Sequence, residues 1–237
     1  MGVVPSLGPE DLRVSAFTTS THEVAARIFL PLHGPGDSRW RWEELVAQIS
    51  AQAGAHDVAH DETTGAADSV LTSDVRWSSA VRWSDLERGL ELVGRPGLRM
   101  AYATPGRVFS VALAAVLGEH TATADGCWFF LWEGYAGETD GLDTSCPPWL
   151  TGLARRSGGL VPHRAPVSWL GARTADDEHL RLPVFMWPDD GSFLLACPIY
   201  HDSLYISCST DLVDRLRDAG FEVLLVDRDA ELPGEGD

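Results

Sequence analysis

Residues Cys127–Tyr135 read CWFFLWEGY, the most apolar and most aromatic run in the chain. Large rigid aromatic side chains of this density fill a core, so the run predicts a buried strand over Cys127–Trp132, closed by Glu133-Gly134-Tyr135. Upstream, Gly106–Glu119 reads as a well-buried helix ended by His120 and Thr121, and TATADG turns the chain into the strand. Downstream, Ala136–Pro148 (AGETDGLDTSCPP) is a loop, and 149–182 holds one expected strand near Val167–Leu170. Short strands follow at Pro183–Trp187, Ser192–Tyr200 and Ser203–Cys208, the last two joined by a tight turn at His201-Asp202. Ser209 then caps a helix that runs to Ala219, Gly220 stands at C′, and Phe221–Val226 is the closing strand.

The first hundred residues read differently. Residues 1–12 carry Gly and Pro and form a loose arm. Arg13–Thr19 alternates as a strand, and Thr21 caps a short segment, His22–Phe29, that LPLHGPGDS ends. Arg41–Gln52 places Trp42, Leu45, Val46 and Ile49 at helical spacing. Ala53–Ser73 is small, polar and acidic, a long surface loop. Ser84–Val93 is a second helix, in which Ser84 and Glu87 make a capping box. Helices early, strands late and no βαβ alternation predict an α+β fold. The expected architecture is a mainly antiparallel sheet packed against a few helices, as a single domain over 13–227 with a frayed acidic tail over 228–237.

The charge bounds the partners. Of 237 residues, 35 are Asp or Glu and 18 are basic, a formal charge of −17. Every basic residue is Arg, with no Lys and no Asn, the codon signature of a GC-rich genome. A lysine Schiff base, a P-loop lysine and a lysine general base are therefore excluded. The acidity disfavours nucleic acid and anionic membranes, and it allows attraction to a basic protein, with solubility alone as the plainer reading. Nine Trp residues can fill a core or line an interface. No window approaches the roughly 18 apolar residues of a membrane span, and MGVVPSLGPEDLR has neither a basic n-region nor an apolar h-region. The four cysteines contain no CxxC pair, so the expectation is a cytoplasmic chain with reduced thiols.

No catalytic or cofactor motif is complete. GxSxG, GxGxxG and GxxxxGKS are all absent, so no catalytic residue and no cofactor is assigned. His56 and His60 stand at i and i+4, a weak metal pair, but AQAGA before and ETTG after them read as solvated loop and the Glu of HExxH is missing. His120 and Cys127 flank one turn, yet Cys127 opens an aromatic run and is expected as a core thiol. Trp187-Pro188-Asp189-Asp190-Gly191 and His201-Asp202-Ser203 are turn chemistry, set at opposite ends of the strand between them. Glu133, beside Trp and Tyr rings at a strand end, is the acid best placed for a pocket. The candidate binding residues are Trp128, Trp132, Glu133, Tyr135, Trp187, Asp190, His201 and Asp202.

His120–Gly137 and Phe185–Val223 resemble a set of uncharacterised actinobacterial proteins. The resemblance is carried by His120, Thr121, Cys127, Trp128, Trp132, Glu133, Gly134, Tyr135, Trp187, Pro188 and Asp190, with Arg27–His33 and Trp42 similar to the usual opening. It departs at Ala136, which stands between Tyr135 and Gly137, and across residues 53–100. It implies genome type and domain integrity and lends no catalytic residue. More loosely, the chain is similar to SUKH immunity proteins, acidic α+β modules with a Trp- and Gly-bearing strand after a helix. These readings favour a non-enzymatic interaction module, of the immunity or antitoxin kind, that binds a basic partner. The alternative is a small-molecule-binding protein or biosynthetic enzyme with a pocket near Glu133 and Tyr135.

Overall fold

A strand that is apolar on both pleats needs cover on both faces, and a computed structural model of the chain supplies it. The structure describes residues 13–34, 39–60, 75–87, 89–91, 93–95, 97–100, 105–134, 139, 142, 145, 147, 159–173, 181–199 and 201–232. Backbone contacts divide these into two compact units. The larger takes in the described residues of Met1–Leu30 and Tyr102–Leu232, the smaller those of Pro31–Ala101. The fold is α+β.

The larger unit is built on a seven-stranded sheet. Its strands are β1 (Val24–Phe29), β5 (Cys127–Trp132), β6 (Leu160–Ala165), β7 (Phe185–Pro188), β8 (Leu194–Ala196), β9 (Ser203–Cys208) and β10 (Val223–Leu225). They lie in the order β10-β1-β9-β8-β7-β5-β6, and every pairing is antiparallel. The pleat of β5 divides two apolar clusters. Cys127, Phe129 and Leu131 pack with Leu113 and Leu117 of α3 (Gly106–His120), Leu170 of α4 (Trp169–Arg173) and Leu212, Val213 and Leu216 of α5 (Thr210–Asp218). Phe130, with Trp128 and Trp132 beside it, packs with Leu160, Val184, Phe185, Leu194 and Ala196 on the opposite face. Phe129 and Phe130 are both essentially inaccessible, and each stabilises the fold by about 1.5–3 kcal/mol through burial alone.

Local signals set the two long helices of this unit. In α3, Ser110, Leu113, Ala114 and Leu117 form the buried stripe at helical spacing. In α5, the Ser209 side chain accepts from the Leu212 N–H, and Gly220 follows the C-cap at φ +90°, a conformation that suits glycine at C′.

The smaller unit contains β2 (Leu32–His33), β3 (Arg39–Trp40) and β4 (Arg99–Met100) in the order β3-β2-β4, with α1 (Trp42–His60) and α2 (Trp83–Glu87). Trp42, Leu45, Val46 and Ile49 are buried as their spacing predicts, and Trp42 meets Trp83 edge-on at 5.9 Å.

Several expectations are corrected. Arg13–Thr19 is not a strand: Val14–Ala16 is a 3-10 turn tied to the C-terminal stretch, Val14 N–H to Ala230 O and Ser15 N–H to Arg228 O. Arg228–Leu232, expected in the frayed tail, is held by those bonds and buries Leu232 against Val14 and Tyr205. The segment His22–Phe29 contains β1, paired with β9 on one side and β10 on the other. Helix α1 carries on through Ala53–His60, because its small residues include good helix formers and nothing breaks the hydrogen-bond ladder. The rest of that expected loop, 61–73, lies outside the described residues. In α2 the cap is shifted, the Asp85 carboxylate accepting from the Arg82 N–H while Ser84 lies inside the helix. Val167 and Ser168 are a turn leading into α4, which Trp169 and Leu170 open, and the strand of that region is β6. The arm over 1–12 lies outside the described residues.

Strand β1 also carries a charge into the protein. Arg27 is fully buried, its Nη2 donates to Asp202 Oδ1 at 2.6 Å, and its Nε donates to Ser203 Oγ at 2.6 Å. Phe29, two residues along the same strand, lies under the guanidinium at 4.3 Å. Removing one partner of such a pair leaves a poorly compensated buried charge. Asp202→Ala is therefore expected to lower the unfolding free energy by about 3 kcal/mol, measured by denaturant titration. The double replacement Arg27→Met/Asp202→Leu is expected to cost less than that single change.

Candidate functional site

The three tryptophans singled out in the sequence share one sheet face. Trp128 and Trp187 are direct cross-strand partners, and Trp132 lies farther along the same pleat of β5. All three indoles are half-buried. Trp187 stacks on Phe130 at 4.5 Å and 18°, while the Arg164 guanidinium stands 5.9 Å from the Trp128 ring. Cross-strand aromatic pairs of this kind each add a few tenths to one kcal/mol beyond burial (about 0.2–1 kcal/mol).

The carboxylates at the two ends of this row have different surroundings. Glu133 is exposed, and its N–H donates to Gly159 O at 2.9 Å. Gly159 has φ +84° and lies so close beneath the Glu133 carboxyl that a Cβ there would collide with it. Tyr135, the other residue expected at this end, lies outside the described residues. At the opposite end of β5, the turn after β7 places Asp189 in an ion pair with Arg164.

Asp190 in that turn is a clamp. Its Oδ2 accepts from the Thr121 hydroxyl and the Ala122 N–H, each at 2.8 Å, and its Oδ1 accepts from the Ser192 N–H at 2.9 Å. The Asp190 N–H in turn donates to Thr123 Oγ1 at 3.1 Å. Desolvation on its own raises the Asp190 carboxyl, but these hydrogen bonds to the ionised form outweigh it and hold the group below its ordinary range. The clamp joins the end of α3 to the β7–β8 turn.

His201 and Asp202 stand at the other end of β8 from Asp190, as the turn positions require. They share an end of the sheet with Glu133, but three strand spacings, about 14 Å, intervene. Asp202 is committed to Arg27. Behind it Tyr205, the direct partner of Arg27 across β1 and β9, is fully buried, and its hydroxyl has no hydrogen-bond partner among the described residues. Burial pushes that hydroxyl's pKa up, against the opposing pull of the Arg27 charge. The seven candidate residues that are described thus do not converge: three Trp share a face, and the acids serve separate ends.

His56 and His60 fall on α1, at i and i+4, with their side chains outside the described residues. Among the described residues, no group of three or more His, Cys, Asp or Glu side chains gathers to hold a metal ion. Cys127 is buried, and desolvation together with the Asp189 charge pushes its thiol pKa far up. Cys197 and Cys208 are pushed up to about 12, chiefly by burial. These thiols are core residues rather than nucleophiles. Among the described residues, no helix is long and apolar enough to cross a membrane. Sequence reasoning missed Arg27, whose one signal was a lone charge inside the apolar run VAARIFL.

Comparisons with protein-family models, curated proteins and solved structures give no match to this chain.

The clamp predicts a pH signature. A carboxyl held low in the folded state contributes stability that is present above its unfolded value of about 3.9 and is lost as pH falls through the lower folded value. Asp190→Asn should therefore lower the melting temperature at pH 7. The gap to wild type should close as the pH is taken below about 4, followed by circular dichroism.

Proposed function

We propose that this chain is an interaction module, of the immunity or antitoxin kind, that binds a basic protein. The observation that carries this reading is the row of half-buried indoles, Trp128, Trp132 and Trp187, on one face of the sheet. Half-buried Trp residues are rigid, already partly desolvated anchors, the residue type on which binding energy concentrates. Exposed acids lie at both ends of the row, Glu133 beyond Trp132 and Asp189 and Asp190 beyond Trp187. Together with the formal charge of −17 they favour a cationic partner, steering its approach and opposing anionic competitors. The structural commitment of Asp190 and Asp202 also removes two of the acids on which a carboxylate mechanism near the row would draw.

The test is affinity capture of proteins from the native host at low and high salt, with wild type and Glu133→Arg side by side. Glu133 is exposed, so its reversal should leave the fold intact. A specific basic protein should be retained by wild type at low salt, released at high salt, and weakened about tenfold or more by the reversal. Capture of no basic protein at low salt, or equal capture by the variant, contradicts the reading.

A further inference from the structure

At the end of the sheet where β5 begins, topology gathers a serine, a histidine and a carboxylate that the aromatic row does not use. Ser209 joins β9 to α5 as the helix N-cap, its Oγ accepting from the Leu212 N–H at 3.3 Å. That Oγ lies 3.5 Å from His120 Nε2, and His120 Nδ1 lies 3.7 Å from Asp211 Oδ2. The same Asp211 oxygen accepts from Arg215 Nε at 2.8 Å, one helical turn on, and the carboxylate is open to solvent. His120 is the last residue of α3, and its side chain is 15% exposed, withdrawn from bulk water yet reachable. Ser209 is half-buried.

We propose that Ser209, His120 and Asp211 form an acyl-transfer site, with Ser209 as nucleophile, His120 as general base and Asp211 as the positioning residue. One ring nitrogen faces the hydroxyl and the other faces the carboxylate, the arrangement a serine nucleophile needs. With Nδ1–H directed at Asp211, Nε2 is the acceptor for the Ser209 proton. The contacts are long, as resting sites often are before substrate draws them together. Helix geometry leaves the N–H of Asp211, second residue of α5, without an intrahelical acceptor, so it and the positive end of the helix can stabilise an oxyanion. The neighbouring Thr210 N–H is already committed to Glu23 Oε2 at 3.1 Å.

The surroundings select the substrate class. Asp211, Glu23 on Thr210, and Glu119 beside His120 repel anionic acyl donors, so the site fits a neutral or cationic carboxylic ester. Ser209 Oγ bonds to the acyl carbon as the bond to the leaving alcohol breaks, and the Oγ proton passes through His120 Nε2 to the departing alkoxide. A water then gives a proton to the same nitrogen, attacks the acyl-serine, and releases the acid with the Ser209 hydroxyl restored.

The inference does not rest on the partner reading, and its test is separate. The full chain is incubated with a fluorophosphonate probe, in which Ser209 Oγ would bond to phosphorus as fluoride leaves, and the adduct is mapped by peptide mass spectrometry. Hydrolysis of 4-nitrophenyl acetate is followed in parallel. An adduct on Ser209 is expected, slowed about a hundredfold in His120→Gln and absent in Ser209→Asp, which keeps a helix-capping oxygen but removes the nucleophile. In Asp211→Asn, kcat for the ester should fall while KM holds, as befits a group that orients His120 without touching substrate. No adduct on Ser209 in the wild-type chain overturns the assignment by itself, and so does labelling of His120→Gln at the wild-type rate.

Discussion

Strand β5 imposes the constraint on which the larger unit depends, because its six side chains are apolar on both pleats and both must be kept from water. Helices α3, α4 and α5 cover one pleat, and on the other Phe130 packs with its sheet neighbours Phe185 and Leu194, with Phe17 packed against that cluster. An interior strand needs ladder partners on both sides as well, and β6 and β7 supply them. Trp128, Trp132 and Trp187 lie on that second pleat and are half-buried, whereas Phe130 and Phe185 between them are fully buried.

The polar residues near this framework are mostly consumed by it. Asp190 ties the end of α3 to the β7–β8 turn, and Asp202 neutralises the arginine that β1 carries inside. An acid that satisfies three donors has few lone pairs left for chemistry. The two junctions differ in consequence. Asp190 is a surface clamp whose removal leaves donors that water can reach, whereas Asp202 faces a guanidinium with no exposed surface. His120 and Ser209 stand apart because their contacts with each other are loose and neither is the sole support of its helix end.

Where a signal is local, the sequence announces it well. The bounds of β5 and β9 coincide with expectation, and α5 starts at its Ser209 cap because the capping residue is adjacent to what it caps. Failures come where the deciding partner is distant. Arg27 is a lone charge inside an otherwise apolar segment, and the carboxylate that makes it tolerable in a central strand lies 175 residues away. Strand β6 is obscured by Pro162 and Arg164, both acceptable on an outermost strand but indistinguishable from loop residues in sequence. The site shows the same division. Trp128 and Trp187 are conspicuous by type, but their pairing across β5 and β7 is a matter of register, and the 89-residue separation of His120 from Ser209 hides their proximity altogether.

The central claim, that β5 is the doubly covered strand on which the larger unit is built, is open to native-state hydrogen exchange resolved by residue. The amides of Phe129, Phe130 and Leu131 should exchange only through global unfolding, at the free energy found by denaturant titration and together with that of Met186 in β7. Exchange of those β5 amides at a lower free energy than the amides of Leu113 and Leu117 in α3 would contradict it.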